Sequence, residues 1–177
     1  MVDNTTATAF ASSSSAASSA STHFDIFINH RGPDVKNTIA AYLYRRLTAH
    51  GLRVFLDRPA LEAGKRIFPQ IEAAIKVASV HIAIFSENYA KSKWCLDELR
   101  LMVDSEKLGA TILPVFYKVK PADLRWNTDS KYSKYAEALR KHEDKRRYRN
   151  PQKIQGWRDA LFQVGDISRF ELEVCNG

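Results

Sequence analysis

From His23 onward, apolar residues follow two alternating rhythms: short runs of the kind strands need, and stretches that repeat every three or four positions as helices do. Phe24–Ile28, Leu52–Leu56, Val80–Phe85 and Thr111–Tyr117 read as four strands. Asp34 to His50 carries Val35, Ile39, Leu43 and Leu47 four apart, which predicts a helix that Gly51 stops. Pro69 to Ala78 reads as a second helix, with proline in its first turn and Ile71, Ile75 and Ala78 inward. Cys95 to Lys107 reads as a third, burying Leu99, Met102 and Val103. Ser130–Lys145 and Gln152–Val164 are helical in pattern, with a break at Asn150–Pro151. Pro114 counts against a central place for the fourth strand, and 119–125 offers either a short fifth strand or a loop.

Apolar strands alternating with helices predict a flavodoxin-like, doubly wound parallel sheet of about five strands in the order 2-1-3-4-5, with helices on both faces. In that order the crevice lies between the first and third strands, at their C-terminal ends. Three loops then converge there: Asn29 to Asp34, Asp57 to Phe68, and Ser86 to Trp94. The second is long and carries Pro59 and Gly64, which reads as a lid.

Residues 1–22 differ from the rest. They are Ser, Ala and Thr with little that is apolar, so the expectation is a disordered tail ahead of one folded domain at 23–175. The tail has no Arg or Lys, unlike an organelle transit peptide, and no basic start or apolar stretch, unlike a secretory signal. Two cysteines, Cys95 and Cys175, make no disulfide framework, and no apolar run reaches the ~18 residues that span a bilayer. The expected location is the cytoplasm, with the nucleus as the alternative. A net charge of +7 permits a polyanion partner without requiring one.

The most informative stretch is Ser86-Glu-Asn-Tyr-Ala-Lys-Ser92-Lys-Trp94-Cys95-Leu96-Asp97-Glu98-Leu99. It leaves the third strand and runs into a helix, so it sits where open α/β sheets bind ligands. Trp94 and Glu98 are four apart and share a helix face, placing an aromatic surface beside a carboxylate.

These residues carry a resemblance. The chain resembles the plant Toll/interleukin-1 receptor (TIR) domains over roughly 23–175. The matching pieces are Phe24-Asp-Ile-Phe with Arg31-Gly32 and Asp34, then Phe55-Leu-Asp57…Leu61-Glu-Ala-Gly64…Ile67, and Ala74-Ile75. Phe85-Ser-Glu-Asn-Tyr89 with Ser92-Lys-Trp94-Cys-Leu-Asp-Glu98-Leu99, Leu113-Pro-Val-Phe-Tyr117 and Gly156-Trp-Arg-Asp-Ala-Leu161 follow in order. The resemblance implies a plant immune and cell-death signalling module that self-associates and cleaves the nicotinamide–ribose bond of NAD+, or of NADP+. It implies Glu98 as the catalytic residue, Ser92 and Trp94 as shapers of the nucleotide pocket, and Arg31 and Gly32 beside the dinucleotide. Asp57, Gly64 and Ile67 belong to the lid. The products implied are ADP-ribose and cyclic or variant ADP-ribose signals sensed by lipase-like immune complexes. NAD+ is then the substrate, and neither a cofactor nor a metal is expected.

One carboxylate suits that chemistry. Glycosidases need two, because a leaving oxygen must be protonated as the sugar becomes oxocarbenium-like. Nicotinamide leaves the ribose through a ring nitrogen that is already cationic and departs neutral, so no general acid is required. Asp97 lies about 100° around the helix from Glu98 and is expected to point elsewhere.

Several residues depart from the family pattern. Plant members commonly carry Ser-Phe before Arg-Gly and an acid after it, where this chain has Asn29, His30 and Pro33. His30 is read as a rim contact to substrate. Ala41 and Tyr42 stand where the family often uses a Ser-His pair for self-association. Between Lys131 and Lys153 nine Lys/Arg face three acids, interleaved with Tyr132, Tyr135 and Tyr148. A solvated helix face is the favoured reading there, and nucleic-acid binding the other. The alternatives to the NAD+-cleaving enzyme are a non-enzymatic TIR–TIR scaffold and an enzyme releasing 2′,3′-cyclic nucleotides from nucleic acid. A receiver is excluded because the paired acids after strand one are missing, and a flavin carrier because no phosphate loop follows it.

Overall fold

The computed structural model describes residues 23–56, 67–125, 133–144 and 150–167. Four parallel strands form one sheet in the order β2-β1-β3-β4: β1 Ile26–His30, β2 Val54–Leu56, β3 Val80–Phe85 and β4 Thr111–Phe116. β1 pairs with β2 from Ile26↔Val54 to Ile28↔Leu56, and with β3 from Ile26↔Val80 to His30↔Ile84. The doubly wound architecture is the expected one. Among the described residues there is no fifth strand, because 119–125 turns into the short helix α5, Pro121–Leu124. β4 is therefore an edge strand among these residues, which is where a proline such as Pro114 costs no ladder hydrogen bond.

Side chains alternate across each strand, and the two faces build two cores. Ile26 and Ile28 of β1 join Ile82 and Ile84 of β3 on one face, covered by the segment after β1. Phe27 and Phe85 point the other way, into the larger core with α3 (Ile67–Val77), α4 (Lys93–Glu106), α6 (Lys134–Asp144) and α7 (Pro151–Asp166). The predicted inward residues Ile71, Ile75, Ala78, Leu99, Met102 and Val103 are all buried there.

Two expectations need correction. β1 begins at Ile26 and ends at His30, two residues later than its apolar run at each end, because pairing with β3 carries the polar Asn29 and His30 into the sheet. Asp25 is instead occupied with Arg53, whose backbone N–H and guanidinium both donate to its carboxylate. The single helix expected over 34–50 is three pieces: α1 Gly32–Val35, a π-helical turn Lys36–Ala40 and α2 Ala41–Ala49, with a kink at Thr38 (φ −117°, ψ −111°). Spacing of four advances about 40° beyond a full α-turn each time, so a straight helix would carry Val35, Ile39, Leu43 and Leu47 off the sheet. One wider π turn offsets that drift, and all four residues pack on the same core.

Candidate active site

Strand alternation decides what meets at the C-terminal edge of β1. Asn29 follows Phe27 onto the α4 face, whereas His30 follows Ile28 onto the opposite one. Both are buried. Opposite Asn29, α4 presents Glu98, which is only 2% exposed. The Asn29 side-chain amide donates to Glu98 Oε2 at 2.6 Å. The Asn29 carbonyl in turn accepts from the Tyr89 hydroxyl at 2.5 Å, and that hydroxyl also lies 3.0 Å from the Cys95 carbonyl. Tyr89 comes from a 3-10 turn, Tyr89–Lys91, just before α4. Burial pushes its hydroxyl well above the usual range, and the nearby Cys95 and Glu98 add to this, so it stays protonated.

α4 starts where it does because Ser92 caps it, its hydroxyl accepting from the Cys95 backbone N–H at 3.3 Å. Ser92 is thus a helix cap in the structure. Arg31, partly buried, pairs with Asp34, and Asp34 also accepts from the Ser86 hydroxyl at 2.5 Å. Partial burial works against ionisation of Asp34, but the Ser86 hydroxyl and the Arg31 guanidinium outweigh it and hold the carboxyl below its ordinary range. Gly32 opens α1 directly after Arg31. The loops leaving β1 and β3 are thereby tied together, as the topology predicts. Tyr135 of α6 adds a further tie by donating to the Ser86 carbonyl at 2.7 Å.

His30 is 4% exposed, and its ring nitrogens make no well-formed hydrogen bond beyond a weak contact with the Ile28 backbone. Burial pushes its imidazole down to about 4, and the Lys36 charge adds to the effect, so it is neutral near pH 7. Trp94 does not share Glu98's environment. It is 60% exposed and lines a separate cavity of about 260 Å³ with Lys93, Asp97, Lys153 and Trp157. Asp97 faces α7, accepting from Trp157 Nε1 at 2.9 Å and from Lys153 Nζ at 2.8 Å. Asp97 therefore points away from Glu98, as expected, but on the side where Trp94 lies. Asp57 and Gly64 lie outside the described residues, and Ile67 opens α3. No group of three or more His, Cys, Asp or Glu able to hold a metal occurs among the described residues.

Sequence reasoning missed Asn29 as the partner of Glu98, Tyr89 as the partner of Asn29, and Ser86 as the partner of Asp34. For Glu98 a signal was present: Cys95, Glu98, Leu99 and Met102 fall at i, i+3, i+4 and i+7, so the glutamate lies within an otherwise apolar stripe. In the basic tract, Tyr135 is a core residue, while Lys134, Lys141 and Lys153 pair with Glu87, Glu137 and Asp97. Tyr132, Tyr148 and residues 145–149 lie outside the described residues. No helix among the described residues is long and apolar enough to cross a membrane.

A family model described as TIR domain matches residues 23–176. The chain is 46% identical over 101 residues to the probable 2′ cyclic ADP-D-ribose synthase BdTIR of Brachypodium distachyon, covering 57% of this chain and 44% of that protein. It is 36% identical over 155 residues to TMV resistance protein N of Nicotiana glutinosa, covering 86% of this chain and 13% of that protein. The chain thus spans less than half the length of either relative. Among solved structures, the TIR domains of the activated Roq1 resistosome, which directly recognises the pathogen effector XopQ, match with a TM-score of 0.70 at 33% identity. That match covers 81% of this chain and 84% of the other.

Proposed function

This chain belongs to the TIR domain family, and from that premise we propose that it is an NAD+ nucleosidase acting in plant innate immune and cell-death signalling. The observation that carries the reading is Glu98, a buried carboxylate where the loops after β1 and β3 converge at the C-terminal edge of a parallel sheet. The similarity to a protein named as a probable cyclic ADP-ribose synthase supports the same chemistry.

In the reaction the C1′–N bond of NAD+ breaks and its electron pair goes to the ring nitrogen, so nicotinamide leaves neutral. The ribose becomes oxocarbenium-like, and Glu98 opposes its positive charge. Water then attacks C1′ and loses its proton, giving ADP-ribose. A hydroxyl of the same molecule in place of water gives a cyclic isomer. Arg31 and Gly32, at the mouth of the β1 loop, contact the dinucleotide. Ser92 bounds the pocket from the start of α4, whereas Trp94 lines the separate cavity beside α7. NAD+ is the substrate, and no further cofactor is used.

Glu98 is buried, so turnover requires its cover to open. Self-association supplies that step, in keeping with a match to TIR domains within an assembled resistosome. The site of action is the cytoplasm. The test is direct: purified protein is incubated with NAD+ across a range of protein concentrations, and the products are separated by chromatography. Nicotinamide with ADP-ribose or a cyclic isomer is the expected result. Absence of nicotinamide at concentrations where the protein is assembled sinks the enzyme and leaves the scaffold.

A further inference from the structure

A chain of buried polar side chains stands behind Glu98. Asn29 sits on β1, Tyr89 on the turn after β3 and Glu98 on α4, so three separate elements fix one carboxylate. All three side chains are buried. An asparagine amide can in principle be flipped, exchanging donor and acceptor. Here a flip would point the Asn29 oxygen at Glu98 Oε2 from 2.6 Å, two acceptors face to face, and would turn the amide nitrogen toward the Tyr89 hydroxyl. The Glu98 carboxylate therefore turns the amide N–H toward itself, and the Asn29 oxygen is left to accept from Tyr89, whose hydroxyl also has the Cys95 carbonyl 3.0 Å away.

We propose that Asn29 is the positioning residue for Glu98, and that Tyr89 acts through Asn29 by holding its amide oxygen. The pair holds the carboxylate aimed at the edge of the sheet. Neither Asn29 nor Tyr89 touches the substrate, so their effect falls on the rate of the chemical step and not on binding. This proposal rests on the nucleosidase reading above.

The experiment compares Asn29→Leu, Tyr89→Phe and the double variant with the parent, measuring kcat and KM for NAD+ by nicotinamide release and a melting curve for each. Leucine matches asparagine in size without its donor, and phenylalanine removes only a hydroxyl. Asn29→Leu is expected to lower kcat roughly 10- to 100-fold, the loss of one hydrogen bond to a charged group, with KM within about threefold. Tyr89→Phe is expected to lower kcat several-fold. Because Tyr89 acts only through Asn29, the double variant should be no slower than Asn29→Leu alone, even where the two losses of melting temperature add.

An active parent with both single variants at parental kcat overturns the proposal. So does a rise in KM at unchanged kcat, or losses in kcat that multiply in the double variant. Should Asn29→Leu fail to fold, Tyr89→Phe decides: reduced kcat at unchanged KM supports the clamp, and parental kcat overturns it. A parent that releases no nicotinamide overturns the nucleosidase reading itself and the clamp with it, a result that these other outcomes cannot mimic.

Discussion

Glu98→Gln and Glu98→Ala separate the role of the charge from the role of the side chain in the fold. Glu98 resembles an exposed helical residue by type, and on that basis Ala would cost nothing. The structure gives a different expectation. Glu98 is buried and accepts from Asn29, so Ala strands a buried amide donor, which costs about 1–3 kcal/mol. Loss of packed methylenes adds about 1 kcal/mol, and the better helix propensity of Ala returns a few tenths. The sum is about 2–4 kcal/mol, or roughly 5–15 °C in Tm for a domain of this size. Glutamine keeps the volume and a carbonyl that Asn29 can reach, so its cost stays under about 1.5 kcal/mol.

The effect on rate runs the other way, with little to choose between the two variants. A unit charge about 4 Å from a developing cation at an effective dielectric near 20 is worth about 4 kcal/mol, roughly a thousandfold in kcat. Folded Glu98→Gln should therefore release nicotinamide at about a thousandth of the parental rate. The assay pairs nicotinamide release with thermal unfolding of the same preparation. Glu98→Gln that unfolds with the parent and turns over within tenfold of it refutes the catalytic assignment. Glu98→Ala that melts with the parent refutes the stability argument independently.

Other outcomes follow from the same geometry. His30 titrates near 4 when folded against an ordinary 6.5, because burial disfavours its charged form, so the unfolded chain takes up the proton first. Stability is then full above about pH 6.5 and falls as the pH drops toward 4, by about 3 kcal/mol from this residue. Urea unfolding of His30→Phe should show a shallower loss between pH 7 and 5 than the parent; equal slopes refute this. His81, also lowered by burial, leaves a residual slope in the variant. Asp97→Asn breaks the ion pair to Lys153 but keeps an acceptor for Trp157, so Tm should drop by a few degrees with kcat within about threefold. A larger loss of kcat would move Asp97 into the chemistry. Nicotinamide release per mole of protein should rise with protein concentration as the protein assembles, and a constant specific activity from monomer upward contradicts activation by self-association.

Much of the fold was legible because burial and period coincide. β3 occupies the whole apolar run 80–85, and the inward faces of α3 and α4 follow their three-and-four spacing. Pro114 counted against a central place for β4, although the expected order 2-1-3-4-5 set a fifth strand beside it. Even the π turn had a trace, in a spacing of four held longer than an α-helix tolerates. What was not legible lies across the chain. Asn29 and Glu98 are 69 residues apart and Asn29 and Tyr89 are 60 apart, so no local pattern joins them. Polar residues at the end of an apolar run read as the end of the strand, which hid Asn29 and His30 inside the sheet.

The pairing of Trp94 with Glu98 shows why spacing alone misleads. Four residues apart, they do share one side of α4, yet one is 60% exposed and the other 2%. Helical period assigns residues to a stripe, but the packed elements decide where along the stripe the solvent boundary falls. That boundary was available from composition: Cys95, Leu99 and Met102 surround Glu98 at core spacing, and a charged residue within a core stripe carries more information than an aromatic near one. Burying an acid there costs stability unless a donor meets it. Asn29 is that donor, and an apolar residue at position 98 would have needed none. A carboxylate retained in a core stripe, together with the buried amide and hydroxyl that align it, is the arrangement expected where charge has work to do at the edge of the sheet.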